Sequence, residues 1–377
     1  MKIKRYLQSC IQKDLNKKMV FVYGPRQVGK TTLSLSFLKK GSEKHPAYFN
    51  WDYLKDRQRF LKLELPAHQK ILIFDEIHKY KHWRNHLKGI YDKNKSDRKI
   101  LVTGSGAFQN YNRGGDSLQG RYFSYRLHPF SLMELNKNPN SKDLNALLEF
   151  SGFPEPFLTG SKVFLNRWKK SRLELLVRTD IRDLEKIKEL SLMELLVDLL
   201  PSKVGSPLSV KNIKEDLQVS HATVERWICI LESLFFCFRI PPFGSPKIRA
   251  VKKEQKLYMF DWSQIENKSF KFENLVACQL LKYCHYQEDY KGLKTELRFL
   301  RDTDKREVDF IVLQNKKPLF AVECKTGEKQ VSNSVKYFKE RLNIPKFYQV
   351  HLKNKDYESN KVRVLPFTKF CKELKMP

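Results

Sequence analysis

The chain has 377 residues, enough for two or three domains that each bury a core, which excludes a single small domain. Hydrophobic residues make up 41% and aromatics 12%, which excludes a disordered chain, and no apolar run approaches the ~20 residues of a membrane-spanning helix. Against 42 Asp and Glu stand 72 Lys and Arg, a formal charge of +30 that either favours polyanionic partners, nucleic acid ahead of membrane, or keeps a lysine-rich surface soluble.

The amino-terminal stretch "MKIKRYLQSCIQKDLNKK" is basic, but Asp14 interrupts it and it has neither a long apolar core nor a small-residue cleavage site. It does not read as a signal peptide, and the expected location is the cytoplasm. Ile3, Leu7, Ile11 and Leu15 recur at helical spacing and predict a helix that packs on a sheet. The seven cysteines are scattered, odd in number and without a C-x-x-C pair, which predicts reduced, mostly buried thiols. Cys284 beside His285 offers only two diverging side chains to a metal.

Met19 to Phe37, "MVFVYGPRQVGKTTLSLSF", reads as an apolar strand, a loop with Gly24 and Gly29 five apart, then an amphipathic helix. Glycines let backbone N–H groups turn inward around a polyphosphate, and the helix presents its positive end to the same anion. Gly24, Pro25, Arg26, Gln27, Val28, Gly29, Lys30, Thr31 and Thr32 are therefore the candidate binders of ATP. Lys30 is placed to reach the β- and γ-phosphates and the Thr31 hydroxyl to bind Mg2+.

Ala47–Tyr53 alternates like a strand, and Lys70–Tyr80, "KILIFDEIHKY", is an apolar run that ends in two acids. Asp75 and Glu76 then stand at a carboxyl end of a parallel sheet, Asp75 to hold magnesium through water and Glu76 to polarise the attacking water. Arg98–Phe108 ends in Thr103 and Ser105, either of which is suited to sensing the γ-phosphate or closing a turn. Arg121 follows Gly120; it is read either as a catalytic cation, in its own subunit or across an interface, or as an ion-pair partner.

Ser141 to Leu200 is dense in Leu and charge at helical spacing, the pattern of a lid, in which Arg178 and Asp180 either reach the nucleotide or a neighbouring subunit or, as the better reading, form solvated salt bridges. Pro201 to Pro207 ends the helix. Val210–Leu217, a bend at Gln218–Ser220 and Ser220–Leu234 then predict two helices around a turn, with Ser220 as cap. Leu217, Val219, Val224, Ile228 and Leu231 close a small core. This arrangement resembles a winged helix-turn-helix whose wing is the basic loop Pro246–Lys256 and whose returning strand is "LYMFDW". In a DNA-binding version His221, Thr223 and Arg226 face the groove while Lys252 and Lys253 touch phosphate. Glu225 and Glu232 on the same helix, with little positive charge beside them, leave a protein-packing module as the alternative.

From Asn267 the pattern becomes an amphipathic helix, with Glu273 in its first turn, then strands near Glu296–Arg301, Glu307–Gln314 and Leu319–Lys325. The last two flank a loop, Asn315–Pro318. A hairpin centred near Lys316 sets Asp309 opposite Glu323, with Cβ atoms about 5 Å apart. Alternation puts Lys325 on the face of Glu323. Glu273, Asp309 and Glu323 are thus candidate metal ligands and Lys325 a candidate catalytic cation, in an arrangement similar to the PD-(D/E)xK nucleases. Exposed acids pairing with neighbouring lysines would give the same letters.

The succession "GPRQVGKTTL", "FDEIHKYKHW", "LVTGSGAF", "LQGRYFSYRLHPFSLMEL", "SGFPEPFL" and "RTDIRDLE" resembles a prokaryotic family of AAA-type ATPases, similar in organisation to archaeal-type ATPases, with a restriction-endonuclease-like carboxyl-terminal domain. The resemblance implies ATP binding through Gly29, Lys30, Thr31 and Asp75, with Glu76 in the hydrolytic position. "GSGAF" departs from the serine-rich version of the family and leaves Thr103 and Ser105 both in play. The expected fold class is α/β: an AAA-type P-loop sheet over 1–140, a helical lid over 141–200, a winged helix-turn-helix over 201–262 and a nuclease-like α/β domain over 263–377. The expected function is ATP binding and hydrolysis that control nucleic-acid binding, DNA ahead of RNA, and metal-dependent cleavage by the carboxyl-terminal domain, or alternatively an ATP-switched DNA- or protein-binding regulator with a silent nuclease fold; no membrane partner is expected, and association with copies of itself is left open.

Overall fold

A computed structural model describes residues 3–94, 97–105, 118–181, 190–244 and 254–377, excepting the side chains of 178–180. The expected wing residues Lys252 and Lys253 and the side chains of Arg178 and Asp180 lie outside the described part. The packing divides the chain into two compact units, Met1–His128 with Ser233–Phe235, and Pro129–Glu232 with Phe236–Pro377.

The first unit is built on a five-stranded sheet in the order β2-β3-β4-β1-β5, with β1 Met19–Tyr23, β2 Tyr48–Asn50, β3 Ile71–Asp75, β4 Lys99–Gly104 and β5 Tyr122–Arg126. Every neighbouring pair is parallel. The central strands are buried along nearly their whole length, with polar residues at their ends, as a parallel sheet covered on both faces requires. Phe21 stacks on Tyr122 with centroids 4.3 Å apart, and Phe74 meets Phe49 and Phe60 at 5.2 Å, so aromatic area carries much of this core.

Two elements are shorter than their patterns. The amino-terminal helix spans Gln8–Asp14, with Leu7, Ile11 and Leu15 buried and Ile3 partly exposed. The strand expected over Ala47–Tyr53 ends at Asn50, whose side-chain oxygen accepts from the Asp52 N–H at 2.9 Å. That local bond replaces the next rung of the ladder and starts a turn.

The second unit begins with helices Ser141–Phe150, Pro154–Thr159 and Lys162–Leu175, a π-turn Leu176–Ile181 and helix Leu190–Leu199. Helices Val210–Leu217 and His221–Ser233 follow around Gln218, which takes the left-handed conformation at φ 54°. Ser220 accepts from the Thr223 N–H at 3.1 Å and caps the second of them. An antiparallel pair, β6 Cys237–Ile240 and β7 Lys256–Met259, closes this segment. Arg239 on β6 binds both acids of the preceding helix, Glu225 at 2.7 Å and Glu232 at 2.9 Å, while His221 and Arg226 stay exposed.

Lys268–Lys291 is a 24-residue helix. Phe272 through Leu280 are all buried, so this part is covered on every side and not amphipathic as its sequence suggested. Its polar residues are matched to fixed partners: Asn274 exchanges two bonds of 2.7 Å with Met259, and Gln279 donates to the Phe130 carbonyl at 3.2 Å. Glu273 falls in the second turn, since the helix starts at Lys268 with Asn267 as its cap.

The six-stranded sheet of this unit has the order β12-β13-β11-β10-β9-β8, with β8 Thr295–Arg301, β9 Glu307–Gln314, β10 Lys317–Lys325, β11 Phe347–His351, β12 Tyr357–Ser359 and β13 Val362–Pro366. It is mixed: β8-β9-β10 is an antiparallel meander, and β11 and β13 run parallel to β10. The β9–β10 turn is tighter than expected, only Asn315 and Lys316, both left-handed. A bulge at Leu319 then shifts the ladder by one, so that Val322 pairs with Phe310. Tight turn and bulge compensate, and Asp309 ends opposite Glu323 as the hairpin argument anticipated. Among the described residues no helix is long and apolar enough to cross a membrane, and all seven cysteines are free thiols.

Candidate nucleotide site and carboxylate cluster

In the first unit the parallel register brings Tyr23 beside Gly104 and Asp75 beside Thr103, so the loop after β1 opens at the same edge as the acid that ends β3. Gly24 (φ 152°) must be glycine: a Cβ there would lie 2.3 Å from the Leu127 carbonyl oxygen. Gly29 (φ 93°) caps the helix Lys30–Leu35 in a left-handed turn. Lys30 is buried and donates to the carbonyls of Gly24, at 3.1 Å, and Pro25, at 2.7 Å, so its ammonium lies across the loop. Val28 is buried beneath the loop, Gln27 and Thr32 are exposed, and Arg26 and Thr31 are half-buried.

Three hydroxyls hold Asp75. Thr31 and Tyr48 both donate to Oδ2 at 2.7 Å, and Thr103 donates to Oδ1 at 2.5 Å. The three donors are neutral hydroxyls and bring no countercharge to the buried carboxyl. Burial first, then the neighbouring Asp75, raises the Tyr48 phenol far above its usual range and keeps it protonated as a donor. Thr103 and Ser105 separate clearly: Thr103 belongs to Asp75, whereas Ser105 lies 3.4 Å from Nε2 of His78.

Glu76 adopts the left-handed conformation at φ 57°, which turns its side chain away from the strand direction. Burial raises its carboxyl above the ordinary value against the pull of Lys30. His78, 3.6 Å away, is driven down to about 3 by burial and by Lys79 and Lys30, so it is a neutral imidazole. A left-handed, partly desolvated carboxylate beside a magnesium-type acid is suited to taking a proton from water.

Sequence reasoning missed Arg5 and Tyr48, and of the readings open for Arg121 the structure shows the ion pair. Arg5 is buried, donating to the Val28 carbonyl at 2.7 Å and to the carbonyl of His128, and so braces the underside of the loop. Arg121 immediately precedes β5, where Met19 pairs with Tyr122. The phosphate loop lies at the other end of β1, roughly 13 Å away along a four-step strand. Arg121 there pairs with Asp92, at 2.9 Å, and the structure does not bring it to the nucleotide site of its own chain. Its position was legible: a residue before a parallel strand sits opposite the ligand edge.

The residues present fit ATP with magnesium. A glycine cradle too tight for a Cβ, a lysine across its mouth, and a Thr hydroxyl bonded to an Asp carboxyl are the donor set that a polyphosphate and a hard divalent ion require.

In the second unit Asp309, Glu323 and Lys325 do converge. The Lys325 ammonium is 2.5 Å from Glu323 Oε1, and Asp309 Oδ2 accepts from the Cys324 N–H at 2.8 Å. The expected sharing of one metal by Glu273, Asp309 and Glu323 is not what the side chains do. Lys256, wholly buried, inserts between Glu273 (3.3 Å), Glu307 (2.5 Å) and Asp309 (3.8 Å). Tyr258, two residues on, donates to Glu273 at 2.8 Å. Among the described residues no three His, Cys, Asp or Glu side chains are gathered as metal ligands. The reason is electrostatic: burial and mutual repulsion push Glu273, Asp309 and Glu323 above the ordinary carboxylate range, and the chain's own ammonium groups offset this. Burial opposes the charge on Lys256, but Glu273, Asp309 and Glu307 outweigh it and hold its ammonium above the usual range.

Residues 16–136 match a family described as an AAA domain, 141–265 match the domain of unknown function DUF8612, and 268–370 match the domain of unknown function DUF4143. The uncharacterized protein MJ1637 of Methanocaldococcus jannaschii is 25% identical over 307 residues, 68% of this chain and 63% of that relative, so the chain spans less than two thirds of the relative's length. Among solved structures, the Holliday junction branch migration motor RuvB of Thermotoga maritima has 14% identity and a TM-score of 0.29 over 62% of this chain and 87% of its own. A variant of that motor scores 0.30 over 63% and 89%. At those scores the likeness carries no argument about this chain. Residues 16–136, which hold the parallel sheet and its glycine loop, are similar to an AAA domain.

Proposed function

We propose that the protein binds and hydrolyses ATP in its first unit. The contact of Thr31 and Thr103 with Asp75, beside the glycine loop, is the observation that carries this reading. Backbone N–H groups from Gly24 to Thr31 bind the phosphates, Lys30 neutralises them, and Thr31 with Asp75 holds magnesium. Bound magnesium supplies charge neutralisation at the transferring phosphoryl group. Glu76 orients a water and accepts its proton, and Thr103 fixes the orientation of Asp75.

ATP turnover by the purified chain tests this. Lys30→Ala lowers it about 10²-fold or more, and Glu76→Gln lowers turnover by a similar factor while ATP still binds. Turnover that neither substitution changes would sink the proposal.

Nucleotide control is exerted on the second unit, which we assign to nucleic-acid binding, DNA ahead of RNA. The formal charge of +30 and the exposed His221 and Arg226 at the start of a capped helix support it, as does the pair of helices followed by a two-stranded hairpin, the element order of a winged helix-turn-helix. Affinity that falls steeply with salt and changes with nucleotide is the expected result. A second reading, metal-dependent cleavage by a restriction-endonuclease-like domain, is favoured by Asp309 facing Glu323 beside Lys325. It requires magnesium-dependent cutting that Asp309→Ala and Lys325→Ala both abolish. Association of copies of the chain, with Arg121 acting across that interface, belongs to the same proposal.

A further inference from the structure

Four carboxylates crowd together where β9 and β10 meet the 268–291 helix: Glu273, Glu307, Asp309 and Glu323. Three cations of the described residues face them, Lys256 against the first three, Arg301 at 2.7 Å from Glu307, and Lys325 at 2.5 Å from Glu323. With all four carboxyls ionised the cluster would be one positive charge short, but burial raises Glu273, Asp309 and Glu323 above the ordinary carboxylate range, so protons share in the balance. Glu323 is 5% exposed, and its Oε2 accepts from no donor among the described residues. A buried carboxyl oxygen without a donor is costly, and either a proton or a bound cation relieves that cost.

Lys256 enters the cluster from outside the sheet. It begins β7, which pairs with β6 and is fastened to the 268–291 helix through Asn274 and Met259. An ammonium with no exposed surface is tolerated only where its charge is fully compensated, and Lys256 touches two of the three acids expected to share a divalent ion. Asp309 Oδ1 faces it at 3.8 Å while Oδ2 takes the Cys324 N–H, so neither oxygen of Asp309 is idle.

We propose that the Lys256 ammonium is the resident cation of this cluster and that a divalent metal ion binds between Asp309 and Glu323 only in competition with it. The inference rests on the reading of Asp309 and Glu323 as a metal pair. It adds that the chain carries its own antagonist of metal binding, delivered by the strand that follows the helix-turn-helix.

The test is Mn2+ binding to the whole chain without nucleotide, by isothermal titration calorimetry and by the metal-induced shift in Tm. Lys256→Met binds Mn2+ about tenfold or more tightly than the natural chain, and shows the larger rise in Tm, because the competing charge is gone. Adding Asp309→Asn or Glu323→Gln removes the gain. Equal Mn2+ affinity with Lys256 and with Met overturns the role of Lys256 and leaves the metal pair standing. Absence of binding in both chains removes the metal pair as well. Should Lys256→Met be unfolded without metal, circular dichroism during Mn2+ titration decides: refolding supports the proposal, and a chain that stays unfolded at every concentration rejects it.

Discussion

Two buried acidic sites in one chain are stabilised by opposite means. Asp75 is surrounded by hydroxyls, from Thr31, Tyr48 and Thr103, which orient the carboxyl and bring no countercharge. Glu273, Asp309 and Glu323 are surrounded by ammonium groups, from Lys256 and Lys325, which cancel charge as they hold it. The first environment is made to attract a cation from solution, the second already contains one. Identical letters in a sequence, an acid after an apolar strand, thus acquire different chemistry according to whether their donors are neutral.

The largest effect that separates the sites is on stability. Lys256→Met leaves Glu273, Glu307 and Asp309 without their common partner and costs about 3–5 kcal/mol in urea unfolding without metal, as removal of one member of a buried ion cluster does. A loss below about 1 kcal/mol would show that the ammonium is not what holds the carboxylates together. ATP turnover per folded molecule stays unchanged in this variant.

Much of both sites could be read from the residues. The glycine spacing, the apolar strands and their terminal acids, and the facing of Asp309 and Glu323 all follow from local pattern and strand geometry. Lys256 could not be read, because the basic stretch Pro246–Lys256, expected as a wing, offers no local sign that its last lysine is buried against acids far along the chain. The bulge at Leu319 was equally silent, and the predicted register held because a turn two residues shorter was offset by it. Arg5 escaped because its carbonyl partners, Val28 and His128, leave no mark in side-chain pattern.

Arg5→Ala sharpens the comparison from the first side. Loss of the brace beneath the phosphate loop weakens ATP binding about tenfold, equivalent to about 1.4 kcal/mol, while Mn2+ affinity at Asp309 is unaffected. Equilibrium binding of a fluorescent ATP analogue measures it, and an unchanged Kd rejects the bracing role.

The pH response of His78 is smaller. Its folded value, about 3, lies below the unfolded value of 6.5, so the unfolded chain binds more protons between them and stability falls as pH falls through that window. From pH 7 to pH 5.5 this amounts to about 1 kcal/mol, and His78→Asn flattens the corresponding part of the stability profile. A profile that keeps its slope in the variant would assign it to other groups.

Arg121→Ala is expected to do least, leaving ATP turnover within about twofold, since its partner Asp92 is exposed and the site is at the other end of the sheet. A loss of tenfold or more that appears only at high protein concentration would place Arg121 at the nucleotide of a neighbouring copy.

Arg239 ties β6 to Glu225 and Glu232 of the preceding helix, β6 pairs with β7, and β7 carries Lys256. This makes the helix pair and the carboxylates two ends of one thermodynamic cycle. Any ligand of the exposed helix face that shifts β7 alters cation affinity at Asp309 and Glu323, and a cation bound there must alter affinity for that ligand by the same factor. Measured in either direction, the coupling is a single number.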